Sequence, residues 1–76
     1  MIGKDAQYGL LCHIFRDGPA ATIRRVDDEG LTPFDARYGA WEIRRVFDGV
    51  VTVDVYRLIE NTYQFKFIER ILYLDT

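Results

Sequence analysis

The chain has 76 residues, 49% of them hydrophobic, 14% aromatic and 29% charged. That is too apolar for a disordered segment and too short for two domains, so residues 1–76 read as one small globular domain. Ten basic against twelve acidic residues give a net charge of −2, which argues against a general nucleic-acid binder with its usual basic surplus.

A core of this size supplies only about 3–5 kcal/mol of net stability, so such domains lean on disulfides, metals, dense packing or a partner. One cysteine excludes an internal disulfide, and one histidine beside it leaves a four-ligand zinc site unsupported. Eleven aromatic residues make dense packing and self-association the remaining routes. No run approaches the roughly 18–20 apolar residues of a membrane span. The start of the chain, Met1-Ile2-Gly3-Lys4-Asp5, does not have the form of a secretory signal. With one unpaired Cys12, the expected compartment is the reducing cytoplasm.

In chain order, residues 8–15 and 20–26 flank Asp17-Gly18-Pro19 and read as a first hairpin. Leu10, Cys12 and Ile14 alternate on one face of its first strand; Leu11, His13 and Phe15 form a second, nearly apolar face. Residues 27–39 are the irregular segment. Within it, Thr32-Pro33-Phe34-Asp35 has the order of a helix start, which predicts a short helical turn near 33–38.

Residues 40–59 form the clearest hairpin, turning at Asp48-Gly49. A two-residue loop would place Ile43 opposite Asp54 and mix both faces. A three-residue loop, Phe47-Asp48-Gly49, instead pairs Ile43 with Val53 and Trp41 with Val55. It sets Glu42, Arg44, Thr52 and Asp54 together on a polar face. Cleaner separation favours that bulged loop, with Trp41, Ile43, Val51, Val53 and Val55 facing one core. Arg25 and Arg45 also fall on core-directed positions, where the stem packs and the guanidinium escapes to water.

After a turn at Glu60-Asn61-Thr62, Tyr63, Phe65 and Phe67 alternate, whereas Phe67, Ile68, Ile71 and Leu72 recur at helical spacing. Aromatic and branched residues favour a long strand with a bulge near Phe67-Ile68. The expected fold is therefore mainly β: a small antiparallel five-stranded sheet or partly open SH3-like barrel. The alternative is an α+β fold with a C-terminal helix in 63–74.

The chemistry in the sequence is sparse. Cys12 and His13 would point to opposite faces of a strand and cannot form a nucleophile–base pair there. Serine is absent. The acids at 27–29 and Asp35 lack the spacing of a calcium loop. No glycine-rich phosphate-binding motif occurs. The reading is a non-enzymatic protein-binding or adaptor module with no catalytic residue, cofactor or metal site. Tyr, Trp, Phe and Arg, the residues enriched at interface hot spots, are plentiful. Tyr38, Arg44, Arg57 and Tyr63 are the expected partner-binding side chains. Leu11, His13, Phe15, Leu72 and Leu74 are the expected self-association surface of a homodimer. The alternative function is a small β-barrel that binds single-stranded nucleic acid by stacking bases on Tyr38, Tyr56, Tyr63, Phe65 and Tyr73 beside Arg37, Arg44, Arg57 and Lys66.

Overall fold

The computed structural model describes residues 2–16, 21–27 and 39–75. Among them the chain forms one helix, α1 (Lys4–Ile14), and four strands: β1 (Ala21–Val26), β2 (Ala40–Phe47), β3 (Val50–Leu58) and β4 (Phe65–Leu74). The strands form an open antiparallel sheet in the order β1-β2-β3-β4, a simple meander with β1 and β4 at its edges. The fold is mainly β, with four strands where the sequence suggested five. The helical turn expected near 33–38 lies outside the described residues.

The missing strand is α1. Tyr8, Leu11, Cys12 and Phe15 recur at helical spacing, and that pattern overrides the alternation of Leu10, Cys12 and Ile14. In a short apolar run both patterns can coexist; here the helical one buries Gln7 and Leu11 at i and i+4. The helix starts after Gly3 without a side-chain cap, with Asp5 in its first turn, favourable to the helix dipole. Gln7 ties the segment before the helix to its first turns, donating through Nε2 to the Ile2 carbonyl at 3.0 Å.

The β2–β3 turn contains two residues, not three. Asp48 (φ 53°) and Gly49 (φ 78°) both adopt the left-handed conformation, as a type I′ hairpin requires. Ile43 therefore pairs with Asp54, Glu42 with Val55 and Trp41 with Tyr56. Trp41, Ile43, Val51, Val53 and Val55 are all buried, but in two clusters on opposite faces. Leu11, Trp41 and Ile43 form one beneath α1, with Phe15, Ile23, Tyr56 and Phe65 packed around them. Ala40, Val51, Val53 and Val55 form the other, with Ile68 and Ile71 against it. Choosing register by separation of polar from apolar residues presumes one buried face, and this sheet buries both.

The C-terminal segment is a strand, not the helix of the alternative reading. Val55 pairs with Glu69 and Tyr56 with Phe67, so Ile68 is the extra residue of a bulge at the place its sequence suggested. The bulge turns over the facing of β4, so that Phe65 and Phe67 share the α1 side of the sheet with Arg70, Leu72 and Leu74.

Candidate interaction surface

Two-residue turn geometry places Asp54 on the α1 side, opposite Ile43 and 2% exposed. A buried carboxylate there requires partners. Arg70, its neighbour on β4, donates from Nε at 2.7 Å and from Nη2 at 3.2 Å. Arg45 on β2 donates from Nη1 at 3.3 Å. Glu42 on the opposite face is also buried and pairs with Arg24. The single polar face expected from Glu42, Arg44, Thr52 and Asp54 is thus divided between two sides of the sheet.

Arg25 and Arg45 occupy equivalent positions in the repeated tetrapeptide Ile-Arg-Arg-Val at 23–26 and 43–46, on adjacent strands whose isoleucines pair. Each guanidinium lies against an aromatic ring, Arg25 over Trp41 at 5.4 Å and Arg45 over Phe15 at 5.1 Å. Each also meets a carboxylate, Asp27 or Asp54, at 3.3 Å. The guanidinium groups do not escape to water as expected of these core-directed positions: the two side chains are 23% and 18% exposed, and each head packs on a ring beside a carboxylate.

The sequence-predicted partner residues do not converge. Arg57 lines a groove of about 470 Å³ with Leu58, Ile59, Lys66, Phe67 and Ile68, and its direct neighbour across the sheet is Lys66. Arg44 lines a separate depression of about 230 Å³ with Thr22, Arg24, Glu42, Val53 and Tyr73. Tyr63, 70% exposed, stands at the β3–β4 turn. Tyr38 lies outside the described residues, as does Arg37. The rings required for a stacking platform are dispersed as well. Tyr56 packs between Phe15 and Phe67 at 5.3 and 5.7 Å, Phe65 belongs to the helix-side core, and Tyr73 shares its depression with Arg44 on the other face.

The expected self-association set divides in two. Leu11 is fully buried against Trp41 and Ile43, so the strand face expected to carry Leu11, His13 and Phe15 does not exist. His13 is exposed on α1, and Phe15 is half-buried against Tyr56. Leu72 and Leu74, by contrast, are exposed on β4, at 62% and 70%. Leu74 continues a row across three strands through Val50 to Phe47, and Phe47 is 76% exposed. Sequence reasoning missed Phe47 because it placed that residue inside the turn.

Cys12 is half-buried on α1 and hydrogen-bonds with Tyr8 one turn earlier, which pushes the Tyr8 hydroxyl above its usual range. Among the described residues no helix is long and apolar enough to cross a membrane. Comparison with family models, curated proteins and solved structures finds no match.

Proposed function

We propose that the protein is a non-enzymatic, protein-binding module whose docking feature is the outer edge of β4 with the apolar row beside it. The observation that carries this reading is the character of that edge. β4 is ten residues long and, among the described residues, pairs only with β3. An unpaired edge offers a line of backbone donors and acceptors that a further strand satisfies. Natural edges are usually blunted by charge, proline or brevity; residues 71–74 of β4, Ile-Leu-Tyr-Leu, carry none of these. The flanking Phe47, Val50, Leu72 and Leu74 add an exposed apolar surface on one side of the same edge, the kind of contiguous patch that marks interaction sites.

A selection from a displayed peptide library tests the reading. Extended apolar peptides are expected to enrich on the wild-type protein and to be lost on Leu72→Pro and Leu72→Lys variants whose denaturation midpoints show them folded. Failure to enrich any peptide on a chain that also stays monomeric, or enrichment equal on wild type and both variants, overturns it.

A further inference from the structure

Resting on that reading, we infer that the strand received by the β4 edge is β4 of a second copy, paired antiparallel about a two-fold axis through Ile71. Strand alternation fixes which groups are on offer. The Asp75 amide donates to the Gly49 carbonyl at 2.9 Å, so Asp75, Tyr73 and Ile71 direct their backbone groups toward β3. Arg70, Leu72 and Leu74 then direct theirs outward.

Charge permits a second copy as the occupant and restricts the register, because like charges directly opposite one another destabilise a strand pair. An axis at Arg70 would set two arginines face to face. An axis at Leu72 would set Glu69 against the partner's Asp75. An axis at Ile71 avoids both clashes and overlaps more of β4 (Phe65–Leu74) than an axis at Tyr73, which is also free of them. It places Arg70 opposite the partner's Leu72, and each of these two symmetric pairs exchanges both backbone bonds. It places Glu69 opposite the partner's Tyr73, whose hydroxyl can donate to the carboxylate, and Ile71 opposite its own symmetry mate. Arg70 suits this position because Asp54, on the inner neighbour β3, draws its guanidinium off the edge at 2.7 Å and leaves the aliphatic stem beside the leucine. The strand thus pairs with itself without a like-charge clash, and the pairing joins two four-stranded sheets into one continuous sheet. The exposed apolar residues at the ends of both β4 strands are gathered around the joint.

Sedimentation analysis of the wild-type chain from low to high micromolar concentration tests this pairing. A concentration-dependent dimer is expected. Leu72→Pro is expected to abolish it, since the proline removes an outward donor while the β3-facing amides remain. Tyr73→Glu, opposite the partner's Glu69, is expected to dissociate about tenfold more readily than Tyr73→Lys at low salt, with the gap closing as salt rises. Two symmetric contacts double the effect of each substitution. A monomer at every concentration overturns the inference, as does a dimer indifferent to Leu72→Pro or one in which the two Tyr73 variants behave alike. Peptide capture by a strictly monomeric protein would leave the binding-edge reading standing with a foreign strand as occupant; neither dimer nor capture removes both.

Discussion

The indole N–H of Trp41 donates to Oε1 of Gln7 at 2.8 Å, across 34 positions of sequence. The same oxygen accepts from Arg25 Nη1 at 3.1 Å, and the Gln7 amide nitrogen holds the Ile2 carbonyl. One buried side chain therefore joins the start of α1 to β1 and β2. Gln7→Leu keeps the bulk and removes every one of these bonds, leaving the Trp41 donor buried without an acceptor. The expected loss is about 1–3 kcal/mol, read as a lower midpoint in chemical denaturation followed by Trp41 fluorescence. Gln7→Glu retains two acceptor oxygens facing a guanidinium and an indole, and is expected to lose less. Equal midpoints for wild type and Gln7→Leu would contradict this role.

Asp54 makes the corresponding test on the β3–β4 side. Its carboxylate is nearly inaccessible, whereas the side chains of Arg45 and Arg70 are 18% and 57% exposed. Removing the carboxylate leaves Arg45 partly buried without its counter-charge, while Arg70 can turn to water. Asp54→Ala is therefore expected to cost about 2–3 kcal/mol, below the full penalty for breaking a wholly buried pair. Arg70→Ala is expected to cost less, because Arg45 still faces the carboxylate. Denaturation midpoints of the two variants give the order directly, and a reversed order would show that Arg45 alone does not compensate the buried carboxylate.

Much of the sheet was legible in the sequence because turns and bulges are local. Asp48-Gly49 marks its hairpin, and Ile68 marks its bulge through a change in hydrophobic period. Register was not legible, because it depends on what covers each face. Residues 50–55 are Val-Val-Thr-Val-Asp-Val, whose valines at 51, 53 and 55 suit a core on either side. Only the layer formed by α1 assigns Trp41 and Ile43 to one side and those valines to the other. The helix itself was hidden by two coincident periodicities in residues 8–15, and with it the burial of Leu11. Of the candidate surface, Leu72 and Leu74 were visible from their place in a terminal apolar run. The convergence of Phe47 and Val50 upon them required the register.

The hairpin register can be probed through the turn. Gly49 has φ of 78° and open space where a Cβ would stand, so Gly49→Ala tests backbone conformation without a steric clash. A left-handed alanine costs about 1–2 kcal/mol, and that loss is expected in the denaturation midpoint. Asp48, at φ 53°, belongs to the residue types that tolerate this conformation, and Asp48→Asn is expected to be near neutral. In the three-residue alternative, Asp48 would have no need of positive φ. Asp48→Ala separates the two geometries: a loss comparable to Gly49→Ala is expected here, and a neutral result would favour the longer loop.

Tyr56 gives the fold an alkaline limit. Burial, with the Asp54 charge adding to it, raises its phenol above the ordinary value of 10.0, against smaller opposing effects from Arg45 and Arg70. Below pH 10 the phenol is protonated in folded and unfolded chains alike, so its contribution is fully present. As pH rises through 10, the unfolded chain releases the proton first, and stability falls until the folded-state value is passed. Tyr8, whose hydroxyl bonds with Cys12, is raised as well and acts in the same direction. Denaturation midpoints measured from pH 8 to 11 are expected to decline at the alkaline end for the wild type. Tyr56→Phe cannot ionise at that position and is expected to decline less, with a remaining slope from Tyr8. Parallel declines in the two proteins would show that the phenolate is accommodated between Phe15 and Phe67, and that burial at this position does not disfavour charge.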